Sequence, residues 1–339
     1  MRIITIYCFS TLLLFSFILP ASSQPEVQTA SVFEYLTRED EAKIHLELDL
    51  DALLNNRRKP DYLPATLTGS DGQVYKLEVR TRGKYRRRSC EIPPVKFKFQ
   101  KTELQSHQLD TFNEIKLVLP CTATPAGEEL IVREYLAYRM FESLSSFSAR
   151  ARLVRLELKS NKKKRPQKML AMLVEHEEEI AARLQAVPVQ EWGIAHDRFH
   201  AEQVALMALF QFMIGNTDWD LEACRNVLVL RPGENKKMVV VPFDFDFSGL
   251  VSAPYATPNS QSGLTHVKDR CLSAKGIDPE ALQQAKKNIL AAKQTLMQWV
   301  EYPRLSMESS QEISEFLDLF FTKLSQSPEI PVMIKRGEK

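Results

Sequence analysis

Gly215-Asn216-Thr217-Asp218-Trp219-Asp220, then Asn226, then Pro242-Phe243-Asp244-Phe245-Asp246-Phe247-Ser248-Gly249: the reading of this stretch decides the fold expected of the chain. Between its acidic ends, residues 225–230 read as a strand, Pro232-Gly233-Glu234-Asn235 as a turn, and residues 237–241 as the returning strand. Such a hairpin carries the second acidic loop back towards the first. Phosphoryl transfer needs a carboxylate to orient or deprotonate the acceptor, an amide and a carboxylate to hold divalent metal, and a fixed distance between them. Two acidic loops joined by a hairpin meet that need. Asn-x-Asp and Asp-x-Asp taken singly are also ordinary turns or calcium-binding loops, so the order of the pieces carries the reading.

Working outward, residues 42–174 read mostly as strands. Ile44, Leu46, Leu48 and Leu50 alternate with His45, Glu47 and Asp49, and further strands are expected at 74–80, 95–99, 114–119, 151–158 and 168–174. One helix, 128–144, interrupts them, with Ile131, Tyr135, Tyr138 and Phe141 at helical spacing and Glu128 and Glu129 in its first turn. After Glu175 the pattern becomes helical, at 177–184, 201–214, 279–302 and 311–324. A sheet with one helix followed by a helical half is a protein-kinase-like layout. The expected fold is therefore α+β, a two-lobe kinase-like architecture with an antiparallel β-sheet N-lobe (24–174) and a mainly helical C-lobe (175–339) that holds the hairpin.

The motif order resembles the atypical kinases of the spore-coat-protein-H type, whose pattern is Gly-Asn-x-Asp, an Asn opening a strand, and Pro-Trp-Asp-Phe-Asp. Phe243 stands where that pattern has tryptophan, and the interval from Asp218 to Asn226 exceeds the usual kinase spacing. The resemblance implies Asp218 as catalytic aspartate, with Asp220 its neighbour in the same loop, Asn226 and Asp244 as metal ligands, and Asp246 as a second ligand. It also implies ATP with Mg2+ or Mn2+, and a protein or glycan acceptor. In the first half, Arg80-Thr81-Arg82-Gly83-Lys84 resembles the family's basic, glycine-containing segment, in which Arg82 meets phosphate. Lys96 and Lys98 project from the face opposite Val95, Phe97 and Phe99, so either is placed to anchor phosphate with Glu134 as partner; Lys116 is the fallback.

Plainer readings stand beside these. Alternating strand lysines commonly form a solvent face, and a single helical glutamate is commonly a surface residue. The same fold without activity is a binding or scaffold protein, and calcium-dependent carbohydrate binding through Asp218, Asp220, Asp244 and Asp246 is a third reading. His196 and His200 have i, i+4 spacing but no acidic base between them, and no zinc-protease, hydrolase-elbow or P-loop motif occurs.

Met1-Arg2, the apolar stretch 3–19 and Pro20-Ala21-Ser22-Ser23 read as a secretory signal peptide, cleaved near Ser23, so the expected location is periplasmic or secreted, with no stable membrane span after cleavage. Four cysteines then remain. Cys90 with Cys121 and Cys224 with Cys271 is the simplest of three pairings, with zinc as the rival. With 45 Lys and Arg against 43 Asp and Glu, no overall field favours nucleic acid. The runs Arg86-Arg87-Arg88 and Lys162-Lys163-Lys164-Arg165 read as solvated loops.

Overall fold

The structure is a computed structural model that describes residues 29–160 and 165–337. The signal segment and the lysines of the 162–165 run lie outside the described residues. Helix α1 (Val32–Leu36) precedes strand β1 (Ala42–Leu48), and α2 (Leu50–Asn55) leads into a 3-10 turn (Asn56–Arg58). Then come β2 (Leu63–Thr68), β3 (Val74–Thr81), α3 (Arg86–Ser89), β4 (Val95–Phe99), α4 (Lys101–Ser106), β5 (Glu114–Val118), α5 (Pro125–Leu144), β6 (Ala151–Ser160) and β7 (Gln167–Val174).

These seven strands close into a barrel in the order β1-β2-β3-β4-β5-β7-β6. Closure is made by β1 and β6, which run parallel from Ala42 opposite Val154 to Leu48 opposite Ser160, whereas the other pairs are antiparallel. The expected two-lobe kinase-like fold with an open antiparallel sheet is therefore corrected to a closed, mixed barrel with helices. The physical reason is that β1 pairs on both sides, with β6 along its whole length and with β2 over residues 45–48, which closes the sheet on itself. Alternation within a strand shows which face is buried and says nothing about pairing partner or direction. Strand β2 was not expected: only Ala65 and Leu67 of its six residues are fully buried, with Leu63 partly so, and Pro64 interrupts the pattern.

Inside the barrel, Ile44, Leu46, Leu67, Tyr75, Leu77, Phe97, Phe99, Leu117, Leu156 and Leu173 form one core. The outer faces of β6 and β7 are also apolar; Leu153, Leu170, Met172 and Val174 join α5 and the second half of the chain in another core. That half contains α6 (Glu177–Arg183), the short strand β8 (Val187–Pro188), α7 (Ala201–Met213), the hairpin β9 (Val227–Arg231) and β10 (Val239–Pro242), and α8 (Pro279–Ala291), α9 (Lys293–Met297) and α10 (Met307–Gln326). The long helix expected at 279–302 is broken after Ala291. Helix α5 lies between the two halves, its Phe141 ring 4.8 Å from Phe210 of α7.

Cys90 and Cys121 are bonded, with Cα atoms 4.5 Å apart. Cys224 and Cys271 are free, which corrects their expected pairing: Cys224 lies in the loop before β9, whereas Cys271 belongs to a short strand paired with Met333–Ile334. No helix among the described residues is long and apolar enough to cross a membrane.

Candidate functional site

The two acidic loops meet back to back. The Gly249 amide donates to the Gly215 carbonyl at 3.1 Å and the Leu250 amide to that of Ile214 at 3.0 Å. Both positions favour glycine, each for its own reason: Gly215 has φ +65°, and a Cβ on Gly249 would stand 2.7 Å from the Val267 carbonyl oxygen. Beyond Gly215, buried Asn216 donates to Gln211 Oε1 at 3.0 Å and accepts the Asp218 amide through Oδ1 at 2.9 Å, which fixes the turn that presents Asp218.

Asn226 donates to the Asp218 carbonyl at 2.7 Å and to its Oδ2 at 3.0 Å. The returning strand β10 then delivers Asp244, whose amide donates to the Tyr138 hydroxyl of α5 at 2.9 Å. Cys224, Asn226 and Asp244 all have left-handed backbone, φ +47°, +53° and +64°, a conformation that costs non-glycine residues energy and clusters at functional sites. Asp218, Asn226, Asp244 and Asp246 line one cavity of about 810 Å³ with Arg82, Lys84, Arg86 and Arg225. Burial raises the Asp218 pKa and the nearby Asp244 charge adds to it, against the pull of Arg225.

Glu134 is buried and pairs not with Lys96 or Lys98 but with Arg86, at 3.2 Å. Arg86 also stands 3.9 Å from Asp246 and donates to the Leu119 carbonyl at 2.6 Å. Asp246 takes a further hydrogen bond from Tyr255 at 3.0 Å. Burial and the neighbouring carboxylates push both Glu134 and Asp246 well above the usual carboxylate range, with Arg86 opposing. Arg86 is thus a buried site residue, which corrects the reading of its run as a solvated loop. No sequence signal singles it out, because Arg87 and Arg88 share its place between Gly83-Lys84 and Cys90.

Lys96 and Lys98 do project outward from the barrel, yet neither lines the cavity. Lys96 donates to Glu114 at 2.8 Å and Lys98 lies 5.1 Å from the Tyr62 ring centre. Lys116, opposite Lys96 on β5, is buried, pairs with Glu177, and stands 4.9 Å from the ring centre of Phe243, the residue before Asp244. Burial lowers its pKa. Asp220 Oδ1 accepts the Ala223 amide at 2.6 Å, so this carboxylate caps its own loop. His196 sits in a 3-10 turn and His200 stands just before α7 without a capping side-chain hydrogen bond, so the two do not share a helix.

No group of three or more His, Cys, Asp or Glu side chains is arranged to hold a metal among the described residues. The candidate set is two carboxylates and an amide: Asp244, whose carboxylate takes no hydrogen bond or ion pair from a described residue, Asp246, and the Asn226 side chain. That set suits magnesium, which keeps waters and completes its shell with substrate phosphates, and is poor for calcium, which takes six to eight oxygens. No protein-family model matches the chain, and no curated protein matches it either.

Proposed function

We propose that the chain is an exported phosphotransferase that moves a phosphoryl group from a nucleotide to a protein or glycan, using the cavity between the two acidic loops. The observation that carries this reading is the gathering of Asp218, Asn226 and Asp244, with Arg82, Lys84 and Arg86, around one cavity. Its volume of about 810 Å³ lies within the usual range of small-molecule sites. The motif order is also the ground for proposing kinship with the spore-coat-protein-H-type enzymes. The Cys90–Cys121 bond suits the oxidising compartment that a periplasmic or secreted protein meets.

Asp244 and the Asn226 amide oxygen would hold Mg2+ or Mn2+, which when bound neutralises developing phosphate charge. Asp218 orients and accepts the proton of the acceptor hydroxyl, a role helped by its raised pKa. Arg82 and Lys84 bind phosphate oxygens. Arg86 holds Glu134 and Asp246 in place. Lys116 supports Phe243 and adds positive charge behind Asp244. The experiment is nucleotide binding and transfer with and without Mg2+ or Mn2+. Asp244→Ala is expected to abolish metal-dependent nucleotide binding with the fold intact. Asp218→Ala is expected to spare binding and slow transfer by about 10²–10⁴-fold. Full transfer by the Asp244→Ala protein would sink the assignment.

A further inference from the structure

A second concavity, of about 560 Å³, is lined by Arg57, Arg58 and Arg88. Arg86 and Arg88 are two residues apart on α3, roughly 200° around the helix, so Arg88 turns outward where Arg86 turns into the first cavity. Among the described residues none of the three has a carboxylate partner. Arg57 is instead held by backbone, donating from Nε to the Leu54 carbonyl at 3.1 Å and from Nη1 to that of Cys90 at 3.4 Å. Cys90 is in turn bonded to Cys121, so one wall of the basin is fixed in advance.

Three guanidinium groups around one space repel each other unless an anion comes between them. A guanidinium fork matches the paired oxygens of a carboxylate or phosphate. Among the described residues no aromatic ring lines the basin, so these offer no stacking face to a sugar or base. We infer that this arginine basin is an acceptor-docking subsite that takes the acidic side chains of a peptide whose hydroxyl is presented to Asp218. The assignment rests on the phosphotransferase reading, with α3 as the element shared by the two sites.

The test uses the full chain and a fluorescent serine peptide flanked by glutamates, beside a neutral peptide of the same length. Polarisation is expected to show binding that weakens with salt and is selective for the acidic peptide. The double variant Arg58→Gln/Arg88→Gln is expected to weaken it at least tenfold and to raise the peptide KM with kcat, nucleotide binding and unfolding midpoint unchanged. Equal binding of the neutral peptide, or acidic-peptide binding unaltered in the double variant, overturns the inference. So does a sulfated oligosaccharide that displaces the peptide and binds more tightly through the same arginines. Arginine-dependent peptide binding by a protein that binds no nucleotide defeats phosphotransfer and leaves the docking site standing; nucleotide binding without arginine-dependent peptide binding does the reverse.

Discussion

Asn216 is 1% exposed, and its side chain bridges Gln211 to the amide of Asp218. Asn216→Ala leaves both partners buried or half-buried without their bond, so we expect a loss of about 1–3 kcal/mol by urea unfolding together with a looser Asp218. An unchanged midpoint would show that the turn is held by backbone alone. Two neighbouring glutamates give opposite pH dependence. Burial raises Glu177, but Lys116 outweighs it and holds the carboxyl down at about 2, below its ordinary 4.5. Its stabilisation is present above pH 4.5 and is lost as pH falls towards 2, on the order of 2–3 kcal/mol. Glu179 is the reverse case: burial pushes it up to about 7 despite the Ser31 hydroxyl and Arg150. The folded state then holds the proton more tightly than the unfolded chain, so stability falls as pH rises from 4.5 to about 7. Glu179→Gln keeps an acceptor for Ser31 and is expected to flatten that decline in unfolding free energy; an unchanged slope assigns it to another group.

At the scale of elements, the short helix α3 depends on a covalent staple. The Cys90–Cys121 loop spans 31 residues, and loop-closure entropy for that length is about 3–4 kcal/mol. Cys90→Ser/Cys121→Ser is expected to lower unfolding free energy by roughly that amount, with a matching loss when the parent protein is reduced. Sequence made some of this legible. The alternation of Ile44, Leu46 and Leu48 marks β1, and the outward lysines of β4 follow from the same two-residue period. The hairpin β9–β10 was legible from its turn chemistry, and the simplest cysteine pairing held for Cys90 with Cys121 but not for Cys224 with Cys271. The partner of Glu134 was not legible. It depends on which arginine of a run of three is folded inward, and only the tertiary pinning of α3 decides that. Lys116 outranks Lys96 as a neighbour of the acidic loop for a similar reason: β5 lies one strand nearer β7 and α6, a matter of barrel order.

Across the whole molecule, the change of pattern after Val174 suggests a boundary, yet the packing runs straight through it. The barrel interior is one core, but the outward residues of β6 and β7 and the buried face of α5 belong to the other, shared with α7 and α10. Tyr138 of α5 packs 4.8 Å from the Phe245 ring and receives the Asp244 amide, so the acidic loop is held by an element from the first half. A fragment of residues 24–174 would lose the Phe210 ring packed on Phe141 and the Phe245 ring packed on Tyr138, and so uncover apolar side chains of α5 that are buried in the intact chain. An apolar surface of that extent on a free domain favours aggregation or loosened packing. The fragment is therefore expected to lose near-ultraviolet circular dichroism, bind a hydrophobic dye and be cut within α5 by protease, whereas a protein of residues 24–339 resists. A monomeric fragment with a cooperative transition and a protected α5 would mean that the barrel and its helix form an independent unit. In that case the acidic loops would have to be positioned by the second half alone.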